Sequence, residues 1–268
     1  MQMPIETQII PAASFANANL NMLVPHPQLT SWVQCIWIMR PSHLNVDEKI
    51  YPDAGASLTF SISDTSVTAR YLQNTSTTRY QWCGSLLHIS IRFKPGGAWA
   101  LLKSPISELA KQEIDVFDLD FAKDDRFQKL LEQLPRSSEL TQLQLIDEWL
   151  LSSSLQLSKP VYSIQQLISE VDSTMLSPIQ LAQEQGMSRR TLERHLQSKF
   201  AVTPLQLQHY ARIKNARKIL INSKQSLAAI ALECGYYDQA HFNNHFKEQT
   251  GETPETYRKR KSALSKHL

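Results

Sequence analysis

The sequence predicts a mixed two-domain chain: a strand-rich α/β domain over residues 1–151, then an all-helical domain over 164–268. Three observations carry this. Residues 57–63 and 88–93 alternate polar and apolar side chains with period two, as half-buried strands do. The run Ser152-Ser153-Ser154, followed by Pro160, reads as a flexible connection, here 152–163. Beyond it the chain repeats itself: Leu181, Ala182 and Gly186 return as Ile230, Ala231 and Gly235, 49 residues on, and Leu192, Leu196 and Pro204 return as Phe242, Phe246 and Pro254, 50 residues on. The one-residue difference falls in the turn, where an insertion costs least.

In the first domain, the strands at 57–63 and 88–93 are followed by a break at Pro95-Gly96-Gly97 and a helical segment at 98–102. Leu143, Ile146, Trp149 and Leu150 have helical spacing and predict a closing helix from about Glu139 to Leu151. Asp47-Glu48 and Asp53 read as a surface turn. Trp32, Trp37, Trp82 and Trp99 either line an apolar pocket or fill the core.

In the second domain the helix starts share one chemistry. Ser177-Pro178, Thr203-Pro204 and Thr253-Pro254 each put a hydroxyl at the N-cap and a proline at the first helical position. The hydroxyl accepts from an otherwise unpaired N–H, and proline lacks the donor that would go unused there. Gln180 and Gln206 complete capping boxes with Ser177 and Thr203. Pro204 to Asn222 reads as one helix of roughly 28 Å, comparable to the ~34 Å rise of a DNA turn. Each repeat copy reads as a supporting helix, a glycine turn and a presented helix, at about 188–200 and 239–250.

The run Gly235-Tyr236-Tyr237-Asp238-Gln239, then Phe242, Phe246-Lys247, Gly251, Pro254 and Tyr257-Arg258, closely resembles the second DNA-binding motif of AraC/XylS-type transcriptional regulators. The repeat is the tandem arrangement of that family, and the resemblance covers about 165–260. It implies a sequence-specific DNA-binding transcription regulator that reads two successive major grooves of double-stranded DNA. In the first motif it implies base contacts from Arg190, Glu193 and Arg194; arginine matches guanine O6 and N7, and glutamate can accept from cytosine N4. In the second, Gln239, His241, Asn243 and Asn244 face outward, and asparagine or glutamine suits adenine. Ser188, Arg189, Lys199, Lys247 and Arg258 are the phosphate candidates, with Lys259, Arg260 and Lys261 either phosphate-facing or simply solvated. Three positions depart from the family pattern: Ala201 stands where a glycine usually ends the first presented helix, Leu196 where an aromatic is usual in the stripe, and Asn244 where an arginine is common. Residues 51–58 and 91–98 more loosely resemble an N-terminal domain found ahead of some such regulators, which implies a sensor or partner domain.

Charge agrees with this reading. The net charge of +3 is uneven: residues 160–268 carry 15 Lys/Arg against 9 Asp/Glu, whereas 1–159 carry 13 against 16. A basic C-terminal part suits a polyanion. The rival reading is a protein-interaction module binding an acidic partner. No apolar run reaches the length of a membrane span, and no secretory segment is visible at Met1-Gln2-Met3-Pro4, so a cytoplasmic protein is expected. Cys35, Cys83 and Cys234 have no metal-type spacing, and His26, His43 and His88 are scattered. His241 and His245 stand four apart with no third ligand in the sequence nearby. Neither an enzyme nor a cofactor or metal is implied. The expected partners beyond DNA are RNA polymerase and a small-molecule effector of the N-terminal domain, in a monomer or homodimer.

Overall fold

The computed structural model describes residues 20–40, 45–83, 86–103, 113–155, 177–184, 186–200 and 202–264. Strands β1 (Leu20–Leu23), β2 (Val33–Met39), β4 (Ala56–Ile62), β5 (Val67–Gln73), β7 (Leu87–Phe93) and β8 (Glu113–Asp115) form one antiparallel sheet in the order β1-β2-β7-β4-β5-β8. Strands β3 (Asn45–Ile50) and β6 (Thr78–Cys83) pair separately as an antiparallel ribbon. Asp47 and Glu48 therefore lie within a strand, not in a surface turn.

Alternation decides the faces. Leu58, Phe60 and Ile62 of β4 meet Leu87, Ile89, Ile91 and Phe93 of β7 in the apolar core. The intervening Ser57, Thr59, Ser61, His88, Ser90 and Arg92 line the opposite face and bond in pairs. Thr59 and Ser90 are 2.8 Å apart, and Ser61 lies 2.9 Å from Nδ1 of His88. Arg92 is buried; it donates to Ser57 at 3.0 Å and pairs with Asp53. Asp53 is thus the counter-ion of a buried guanidinium, which the surface-turn expectation missed.

Helices α1 (Gly97–Leu102), α2 (Asp125–Gln133) and α3 (Glu139–Ser154) cover the apolar face. Phe127 sits 5.1 Å from both Phe121 and Trp149, measured between ring centroids, and joins α2 and α3 to the sheet. The serine run does not interrupt α3. Ser152, Ser153 and Ser154 form its last turn by donating back to the carbonyls of Trp149 and Leu151, a local bond that lets hydroxyl residues finish a helix. The remainder of the expected connection, beyond Leu155, lies outside the described residues. The tryptophans do not converge: Trp32 and Trp99 belong to the apolar core, while Trp82 packs on His88 across the other face, ring centroids 5.0 Å apart.

The C-terminal part is helical throughout its described residues: α4 (Pro178–Glu184), α5 (Arg189–Phe200), α6 (Pro204–Asn222), α7 (Leu227–Glu233), α8 (Gln239–Thr250) and α9 (Pro254–Leu264). The caps are those the sequence predicts. Thr203 and Gln206 form a complete capping box, and Ser177 exchanges bonds with Gln180 at 3.3 and 2.9 Å.

Candidate nucleic-acid interface

Each repeat copy folds as helix, glycine turn and helix, with the same hydrogen bonds. Gly186 and Gly235 take left-handed φ values of 59° and 72°. Their N–H groups donate to Gln183 and Leu232, each at 3.0 Å, and the next residues, Met187 and Tyr236, donate to Ala182 and Ala231 at 3.0 and 2.9 Å. All four pairs of counterparts are separated by 49 residues. At the following N-caps the separation becomes 50: Ser188 accepts from the Thr191 N–H, and Asp238 from the His241 N–H. The inserted residue is Tyr237, which is 88% exposed and stands one position before the α8 cap. The change in repeat offset was the only trace of it in the sequence.

The apolar stripes do what their spacing implies. Leu192 and Leu196 hold α5 against Leu181, Ala182 and the start of α6. Phe242 and Phe246 hold α8 against Ile230, Ala231 and the second half of α6. Tyr236 strengthens the second unit: its hydroxyl lies 2.8 Å from Nδ1 of His245, and its ring packs on Phe242 at 5.2 Å. Burial holds the His245 imidazole down to about 4, helped by the neighbouring His209, His241 and Arg212 charges. Helix α8 ends at Gly251, φ 71°, as expected. Ala201, one of the departures in the first motif, lies outside the described residues.

The outward faces carry most of the expected residues. Arg190, Arg194 and Gln197 are exposed on α5, and Gln239, His241, Asn244 and Lys247 on α8. Glu193 is half-buried and held by Arg189, Nε to Oε1 2.9 Å, so these two neutralise each other across one helical turn. Asn243 leans inward: it is half-buried, and its Oδ1 is buried. Ser188 spends its hydroxyl on the α5 cap. Arg258 donates to the Gln225 carbonyl at 2.8 Å, closing the α6–α7 connection from α9. Arg260 is bound by Glu252 at 2.6 Å, and Lys261 is buried, so neither belongs to a solvated tail. The side chain of Lys199 lies outside the described ones. Among the described residues, the exposed basic and amide groups of the presented helices, apart from the paired Arg189, are therefore Arg190, Arg194 and Gln197 on α5 and Gln239, His241, Asn244 and Lys247 on α8.

Comparison with known proteins agrees with this geometry. Residues 181–260 match the family described as helix-turn-helix domain. Over 85 residues the chain is 31% identical to the HTH-type transcriptional activator RhaS of Klebsiella pneumoniae (strain 342), and over 78 residues 33% identical to RhaS of Escherichia coli O139:H28. The C-terminal region is a helix-turn-helix domain. These matches span 32% and 29% of this chain and 31% and 28% of the two relatives, so the likeness covers about a third of each. Residues 21–115 match a domain of unknown function, DUF6597. Among solved structures, the DNA-binding domain of AdpA in complex with a target DNA is 26% identical; the match covers 40% of this chain and 95% of that one, with a TM-score of 0.35. ToxT from Vibrio cholerae O395 is 12% identical; there the match covers 81% of this chain and 98% of that one, with a TM-score of 0.42. Both RhaS relatives are named as transcriptional activators. No helix among the described residues is long and apolar enough to cross a membrane.

Proposed function

We propose that this chain is a sequence-specific DNA-binding transcription regulator of the AraC type. In this reading α5 and α8 enter two successive major grooves of double-stranded DNA on one face. The observation that carries it is the twofold occurrence of one turn geometry, each copy presenting an exposed polar helix face: Arg190 and Arg194 on α5, Gln239, His241 and Asn244 on α8. The arginines specify guanine, and Gln239 and Asn244 specify adenine. Lys247 contacts phosphate.

The N-terminal domain, in this proposal, modulates DNA binding through a small-molecule effector or a second subunit, and the chain works in the cytoplasm as a monomer or homodimer alongside RNA polymerase. It carries no catalytic role. The rival, an acidic protein partner, predicts a different salt response. If about six phosphates are engaged, affinity for duplex falls ~10³-fold or more between 50 and 200 mM salt. Footprinting of the full chain on a selected duplex is the test: protection over two adjacent grooves supports the proposal, and protection of one groove or none opposes it.

A further inference from the structure

The two helix-turn-helix units are connected twice. Helix α6 is the first link, since Leu207, Tyr210 and Ala211 belong to one core and Ile213, Ala216 and Leu220 to the other. The second link comes from the N-terminal domain. Tyr51, 7% exposed, packs in the core of the second unit, and Ala54, three residues later, is fully buried in the core of the first. One short loop thus places a side chain in each.

That loop is held firmly by its own domain. The N–H groups of Asp53 and Ala54 both donate to the Asn74 carbonyl at 3.1 Å, and the Asn74 N–H returns to Gly55 at 2.9 Å. Gln73 donates to the Ala54 carbonyl at 3.1 Å, and the buried Arg92 pairs with Asp53. Ala54 has a φ of 60°, a value an alanine keeps only where its surroundings enforce it. Tyr51 is equally fixed on the other side. The Arg217 guanidinium lies 3.8 Å above its ring, and its hydroxyl donates to Glu252 at 3.0 Å. The neighbouring loop 74–77 repeats the arrangement: Tyr210 of the first unit donates to the Thr75 carbonyl at 2.7 Å, and Thr77 donates to the Gln249 carbonyl at the end of α8.

We propose that loops 51–55 and 74–77 clamp the two helix-turn-helix units into one relative orientation, and that Tyr51 and Ala54 are positioning residues that set the spacing between the DNA elements read by α5 and α8. The consequence for DNA rests on the function proposed above; the clamp itself does not. A lone helix bends, whereas a second link across its middle makes a frame. Spacing matters because one inserted base pair turns the next groove by roughly 35° about the axis. The clamp is not a lid: Arg190, Arg194, Gln239, His241 and Asn244 all stay exposed with the loops in place.

The test uses the full chain with spin labels carried by non-canonical amino acids at the exposed Gln197 and Glu248. The wild-type chain gives one narrow distance distribution; Tyr51→Ala broadens it about two-fold or more. Because Tyr51→Ala also opens the second core, the double variant Tyr210→Phe/Thr77→Val, which removes only hydrogen bonds, is measured beside it and broadens too. Unchanged distributions in both variants overturn the clamp. On a duplex selected by the wild-type chain, one base pair inserted between the two elements lowers wild-type affinity about ten-fold or more, and that of either variant clearly less. Equal losses overturn the spacing role. If no duplex binds while the label distances still respond, the DNA reading fails and the clamp stands.

Discussion

The hydroxyl of Tyr236 and Nδ1 of His245 meet at 2.8 Å, tying the turn of the second helix-turn-helix unit to the middle of the helix it presents. Both groups are buried, and the His209 ring stacks edge-on at 4.5 Å from α6. Three elements are thus joined at one imidazole, which burial keeps neutral.

The sign of the pH dependence follows. His245 titrates near 4 in the fold and near 6.5 in an unfolded chain, so the unfolded state binds more protons between these values. The contribution is complete above about pH 6.5 and is lost as pH falls towards 4, on the order of 3 kcal/mol in all. His209, His241 and Arg212 face the same ring and add positive charge against its protonation. Thermal melts across this range should fall for the wild-type chain and fall less for His245→Gln. Parallel pH profiles for the two proteins would assign the acid response to other groups.

Gly235 offers a backbone test. A Cβ built there meets nothing nearer than the Arg212 side chain at 3.8 Å, so the cost of Gly235→Ala comes from the left-handed φ of 72° alone. The expected loss is about 1 kcal/mol, and Gly235→Asn should lose less. Urea unfolding of the three proteins measures both differences, and an equal or larger loss for asparagine would point to sterics.

Arg258 and Lys247 should separate stability from binding. Arg258→Ala removes a bond to the Gln225 carbonyl and should cost about 1 kcal/mol of stability while leaving the salt slope of DNA binding unchanged. Lys247→Ala, at an exposed position, should leave stability alone and reduce that slope by about one. Binding isotherms at several salt concentrations, with melts of the same proteins, distinguish the two. A reduced slope in Arg258→Ala would return it to the phosphate set.

The helical domain was legible in the sequence because its signals are local. Thr203-Pro204-x-Gln206 states the start of α6 in four residues, and Gly251 states the end of α8; both fall where those residues say. The presented faces followed from the stripes of Leu192, Leu196, Phe242 and Phe246. What failed to show was long-range. Nothing near Asp53 in the chain announces Arg92, and nothing near Tyr51 announces Arg217. A residue such as Asn243 sits at the edge of the outward arc, where helical spacing alone leaves its direction open; packing turned it inward. The serines at 152–154 misled because composition reads them as a linker, whereas their hydroxyls satisfy carbonyls of the helix they end.

The claim that matters most is that α5 and α8 each read bases. Selecting duplexes from a random pool with the wild-type full chain and with Arg194→Ala tests it most directly. The wild-type chain should enrich two short blocks whose centres lie about one helical turn, roughly 10–10.5 base pairs, apart. Arg194→Ala should lose preference at one base pair of one block, at a cost of ~1–3 kcal/mol, and keep the other block intact. A single enriched block, or an unchanged preference in the variant, would contradict the account.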